Sequence, residues 1–180
     1  VEASGVVIGA GVSLLGAGAA AVTISRSSTG DTVQLGSGAS ITGCAVQVFD
    51  DAAARGIVSV AAAAARADVC ACEVIGNPSG AGTACAPDAA SVLVIDGLAL
   101  SLFLEYGVLS SVAGASVQVR NMTQATGSAV DLGVVVIGGE LVFDSVNLPF
   151  CNTAGVLLTN TPATGQDLTV SGAVDGVSMA

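Results

Sequence analysis

The feature that most restricts this chain is that it repeats itself in two registers at once. One series is a Ser or an acid followed by a large aliphatic residue. It runs Ser13-Leu14, Ser40-Ile41, Asp68-Val69, Ser91-Val92, Ser116-Val117, Glu140-Leu141 and Asp167-Leu168, at spacings of 27, 28, 23, 25, 24 and 27. The other series is a Gly that opens a short apolar run, at Gly5, Gly30, Gly56, Gly82, Gly107, Gly133, Gly155 and Gly176, at spacings of 25, 26, 26, 25, 26, 22 and 21. With 24 Gly in 180 residues a single match is expected by chance, and Gly82 is the weakest. Two series that alternate unbroken along the chain are not. A period of this size means units that bury their inner faces only by stacking on one another.

Within each period the residues read as strands. In the fifth, residues 107–111 form a short strand, 112–114 a turn, and 116–119 a second strand with Val117 and Val119 on one face. Arg120-Asn121 is a tight corner, and Met122 begins a third short strand. The sixth repeats the scheme from Val134 through Glu140-Leu141 to Asp144-Ser145 and Val146. Alternation with period two, closed by Gly, Asn or Asp, is the mark of strands. Three short strands in about 25 residues describe an all-β parallel β-helix, a solenoid of about seven coils forming a single domain over residues 1–180. At roughly 4.8 Å per coil the rod is on the order of 34 Å long. The uneven coil length argues for the right-handed form. Leu14, Ile41, Val69, Val92, Val117, Leu141 and Leu168 are expected to stack as one inward aliphatic ladder.

Glu73, Asp96, Asn121 and Asp144 fall four or five positions after their markers, where a corner is expected, and Asn and Asp tolerate the left-handed backbone that corners need. With these residues, and with 116–122 and its equivalents, the sequence resembles the right-handed β-helix proteins of the pectate-lyase-like superfamily. The resemblance covers nearly the whole chain and concerns architecture rather than activity. It implies that any site lies on one strand face, walled by the variable loops, here Asp50–Arg55, Gly76–Ala90 and Thr123–Leu132. The run Ala61–Ala65 departs from the pattern and reads as a turn, with a short helix as the alternative.

Composition restricts function. Fourteen acids and four Arg, with no Lys and no His, give a net charge of −10. That argues against nucleic acid, which needs clustered positive charge, and removes mechanisms built on His or Lys. The apolar stretch from Gly5 to Ile24 is long enough to span a bilayer, but its five Gly and its place in the repeat argue against a membrane span. Five cysteines without His do not suggest zinc; disulfides in an exported, extracellular or cell-surface protein are the better reading. Cys44 and Cys72 lie four positions after their markers and should stack on adjacent coils, within disulfide reach. Cys70 should face outward, where it could pin the long loop through Cys85, leaving Cys151 unpaired.

The best local group for chemistry is Asp50 and Asp51 beside Arg55. A lyase needs calcium-binding acids and a cationic base, whereas adjacent acids are poorly placed as a hydrolase pair. The plainer reading is a solvated loop with Arg55 as partner to the acids. No cofactor is indicated beyond a weak case for calcium. The expected function is therefore non-enzymatic: a structural or interaction segment of a fibre, filament or adhesin, whose partners are other copies or neighbouring coils of a longer solenoid. The alternative is a carbohydrate-binding or polysaccharide-lyase-like β-helix acting on a surface polysaccharide.

Overall fold

The computed structural model describes residues 5–172 and 175–179, and these form strands and turns with no helix. Coil one contains β1 (Val6–Ile8), β2 (Ser13–Leu15) and β3 (Thr23–Ile24), and coil two β4 (Asp31–Leu35), β5 (Ser40–Thr42) and β6 (Ala45–Gln47). Coil three contains β7 (Arg55–Ser59), β8 (Arg66–Cys70) and β9 (Glu73–Ile75), and coil four β10 (Thr83–Pro87), β11 (Val92–Asp96) and β12 (Ala99–Ser101). In the next three coils the second and third strands join across the corner. Coil five is β13 (Phe103–Ser110) and β14 (Ser116–Gln124), coil six β15 (Ala129–Ile137) and β16 (Glu140–Leu148), and coil seven β17 (Cys151–Thr159) and β18 (Ala163–Val170); β19 (Asp175–Met179) opens an eighth.

Every strand pairs in parallel with its equivalent one coil away. The first sheet runs β1-β4-β7-β10-β13-β15-β17-β19. The second strands stack as β2-β5-β8-β11-β14-β16-β18, and the third as β3-β6-β9-β12 continued by the far halves of β14, β16 and β18. The chain is thus an all-β parallel solenoid of about seven turns, as the two marker series require.

Three columns explain the sequence. The first is the Gly column. Pairing of Val6 with Val33, Ile57, Cys85, Val108, Val134, Val156 and Val177 in turn places Gly5, Thr32, Gly56, Ala84, Gly107, Gly133, Gly155 and Gly176 one above another. A Cβ at Gly107 would lie 3.0 Å from Leu100 Cδ1 and 3.1 Å from Met122 Cε, and one at Gly133 would lie 2.5 Å from Leu148 Cδ1. Gly is needed because side chains of the third strand fill the space. Gly30 and Gly82 stand two residues outside this column. Thr32 replaces Gly there by donating its hydroxyl to the Gln47 carbonyl, 3.0 Å away.

The second is the corner column, Gly43, Ala71, Gly97, Asn121, Ser145 and Asp167, all with φ between 47° and 74°. Asn121 was expected there. Asp96 and Asp144 precede the left-handed residue by one, Glu73 follows it by two, and Asp167 is a corner rather than a strand start.

The third is the inner ladder, which departs from the expected set. Leu14, Ile41 and Val69 do stack, but the column continues as Ile95, Val119 and Phe143. Val117 and Leu141 belong to the adjacent column with Ala67 and Leu93. Val92 is only half-buried and Leu168 stacks on Val146 beyond the corner. The expected ladder followed the polar marker, which sits outside in every coil but that of the buried Ser91 and is freer to vary; the constraint lies in the buried residues.

Ala61–Ala65 is a turn, with Ala64 at φ 60°. The loop expected at Gly76–Ala90 ends at Gly82, where β10 follows, and the one expected at Thr123–Leu132 is confined to residues 125–128.

Candidate functional site

The structure separates the three residues that the sequence groups. Asp51 turns back on its own loop and accepts a hydrogen bond from Ala53 N at 2.8 Å. Asp50 accepts one from the Ser79 hydroxyl across the neighbouring loop. Arg55 starts β7 and faces neither. Its Nε donates to Asp31 Oδ1 at 2.7 Å and its Nη2 to Asp31 Oδ2 at 3.1 Å. Nη2 also reaches Asp88 Oδ2 at 2.9 Å, and Nη1 is bound to the same carboxylate. Expected as the partner of Asp50 and Asp51, Arg55 instead clamps coils two, three and four. Partial burial pulls its pKa down, but the bonds to Asp88 and Asp31 outweigh this and raise it. Asp31 is 7% exposed and would be costly without that cation.

Other charged side chains also tie successive coils or neighbours on one strand. Arg66 pairs with Asp68. Ser116 donates to Glu140 at 3.2 Å, Asn121 Nδ2 to Asp96 at 2.8 Å and Gln166 Nε2 to Asp144 at 3.2 Å. Among the described residues no three acids or thiols converge as a metal site would require, and no helix is long and apolar enough to cross a membrane.

All five cysteines are free thiols. Cys44 and Cys72 do occupy equivalent positions on adjacent coils, one residue before the Ala45–Glu73 pair. Their Sγ atoms point at the carbonyls of Thr42 and Cys70, at 3.6 and 3.3 Å. Cys70 and Cys85 cannot bridge as expected. Cys85 faces the core of the first sheet between Ile57 and Val108, whereas Cys70 lies on the second sheet at a half-exposed position. Burial pushes the Cys44, Cys72 and Cys85 thiols up, and Cys151 up to about 11 with help from Asp131.

One concavity was not singled out by the sequence. A groove of about 590 Å³ lies between the loop 78–81 and the starts of β13, β15 and β17. Phe103, Glu105, Asp131 and Asn152 line it. The loop wall is fixed by Asn77, 2% exposed. Its Nδ2 donates to the carbonyls of Ala81 at 2.7 Å and Phe49 at 3.2 Å, and its Oδ1 accepts from Ala81 N at 3.1 Å. Glu105 and Asp131 are 26 residues apart in the chain but opposite one another in register, between the pairs Leu104–Val130 and Tyr106–Leu132. A full coil separates them in sequence, so only the stacking register could have found the pair.

No family profile, curated protein or solved structure matches this chain.

Proposed function

We propose that this chain is a structural and interaction segment of an exported or cell-surface protein, a stalk, fibre or filament in which coils stack on coils. One observation carries the reading: the apolar column from Val6 through Val33, Ile57, Cys85, Val108, Val134 and Val156 to Val177 runs through every coil and stands open at both outermost ones. Val6 is 37% exposed on the first coil, and Val177 51% and Met179 81% exposed on the last. These residues occupy positions that the internal coils cover, and among the described residues nothing pairs with the outer edges of β1 and β19. Another coil satisfies both, whether from a longer chain or from another molecule.

The lyase-like alternative loses its local candidates, because Arg55 is engaged by Asp31 and Asp88. The likeness to polysaccharide-acting β-helices then rests on architecture alone.

Electron microscopy of the purified full-length product tests the reading. Rods or filaments longer than the roughly 34 Å of seven coils are expected. Monodisperse particles of that length, from a gene product of this size, would overturn it.

A further inference from the structure

β10 is a central strand, held between β7 and β13, yet it ends on Pro87. Proline is rare in such strands because it cannot donate to the ladder. Asp88 N bonds back to the Ser59 carbonyl at 2.8 Å, so the peptide group of Pro87, one residue before, turns toward coil five. The register sets it against the carbonyl of Leu109, which receives no amide from that side. The ladder shows the break. β10 pairs with β7 as far as Pro87–Ser59, and β13 with β15 as far as Ser110–Val136. Between β10 and β13 the pairing stops at Cys85–Val108, two residues short of Pro87 and Ser110. Ser110 is fully buried at that place. Among the described residues its Oγ is the one buried side-chain polar atom without a hydrogen-bond partner. Ser59, two coils earlier in the same column, differs: its Oγ shares a hydrogen bond with Ser91 Oγ at 3.2 Å. The position of Ser91 is held by Ala115 in coil five and Gly139 in coil six, and neither has a hydroxyl to offer.

We propose that a single internal water molecule binds here and bridges Ser110 Oγ and the Leu109 carbonyl, in place of the amide that Pro87 lacks. The hydroxyl donates to the water and the water donates to the carbonyl, so two buried groups are satisfied at once. Leaving either one bare costs more than immobilising a water. Internal waters are held by otherwise unsatisfied polar groups of this kind. Two independent departures, a proline in a central strand and a bare hydroxyl in an aliphatic column, meet at one point and share one remedy. The site lies inside the rod, between coils four and five, so the inference does not depend on what stacks on the end coils.

Oxygen-17 magnetic relaxation dispersion of the folded chain counts its long-lived internal waters. Ser110→Ala is expected to lose one of them. Pro87→Ala restores an amide to the Leu109 carbonyl and should lose the same one, whereas the exposed control Ser111→Ala should lose none. Denaturant midpoints give a second reading through their sign. With the water bound, Ser110→Ala lowers the midpoint of the unaltered chain, because the Leu109 carbonyl loses its donor. In the Pro87→Ala chain the hydroxyl is left bare, and the same substitution raises the midpoint. Circular dichroism checks that each variant keeps the β fold. An unchanged count in Ser110→Ala, or a midpoint that it raises in the unaltered chain, would overturn the proposal. So would a crystal structure in which Ser110 Oγ donates directly to a backbone carbonyl.

Discussion

Coils two to four and coils five to seven meet the same corner with different residues. In the lower group the corner breaks the strand and uses Gly43, Ala71 and Gly97; in the upper group β14, β16 and β18 run through it with Asn121, Ser145 and Asp167. The backbone conformation is the same in both, with φ near +50° to +75°. Geometry therefore demands a left-handed residue and leaves its identity open. Gly adopts the conformation without a Cβ clash. Asn121 compensates with its bond to Asp96 at 2.8 Å, and Ser145 with one to Asp144 at 3.0 Å. Ala71 has neither remedy. The lower coils have the Asp31–Arg55–Asp88 clamp, and coils two and three line the corner's interior with small Cys44 and Cys72, where coil four has Leu98 and the upper coils use Met122 and Val146.

Four measurements press on this contrast. The largest effect belongs to the upper coils. Gly133→Val drives a branched side chain into Leu148 and the Gly155 carbonyl, and should cost about 3 kcal/mol or more in chemical denaturation. Ala84→Gly, at the same column position below, should cost about 1 kcal/mol or less. Equal effects would show that the column is not one structural position.

Next is the clamp. Arg55→Met leaves Asp31 buried without a cation and should cost about 3 kcal/mol, the lower end for a broken buried pair because Arg55 is itself 31% exposed. An unchanged midpoint would mean that the stacked strands, not the clamp, hold the lower coils.

A third concerns alkali. The buried thiols have pKa values raised in the folded chain, so the unfolded chain loses their protons first. Stability from them is complete below about pH 8.5 and falls as pH rises through the folded values. Cys151, pushed up to about 11, should account for about 2 kcal/mol by that pH. Denaturant midpoints taken at pH 8 and pH 11 for the chain and for Cys151→Ala check this; identical pH slopes would refute it.

The smallest effect has the opposite sign. Ala71→Gly removes a Cβ from φ +47° and should stabilise by about 1 kcal/mol, whereas Asn121→Gly should change little. If Ala71→Gly destabilises, packing at that corner outweighs backbone strain.

The period was legible in the sequence because Gly5, Gly56, Gly107, Gly133 and Gly155 answer to a steric need that few residues meet. Gly30 and Gly82 misled because Thr32 and Ala84 fill the true positions while a nearby Gly serves a turn, at φ 118° and 89°. The polar markers drifted for a different reason. Ser91 and Asp68 sit one and two residues off the Ser116 register; a marker that faces outward, as Asp68 does, can shift without touching the core, whereas the buried Ser91 keeps a hydroxyl partner in Ser59 at 3.2 Å. The site was less legible still. Asp50 and Asp51 are the close sequence neighbours of Arg55, yet its partners are 24 and 33 residues away, and Glu105 meets Asp131 across 26 residues. In a solenoid, proximity is measured in coils, and small errors in coil length scramble it.

The Gly column has a further consequence for length. Because Gly107 and Gly133 are equivalent, excising residues 107–132 would join Tyr106 to Gly133 and leave every column in register. The molecule would be shorter by one strand spacing, about 4.8 Å, and otherwise alike. Duplication of the same segment would lengthen it by that step. Such a chain is a ruler graduated in whole turns, whose reach can be reset by gain or loss of a single cassette without redesign of its interior.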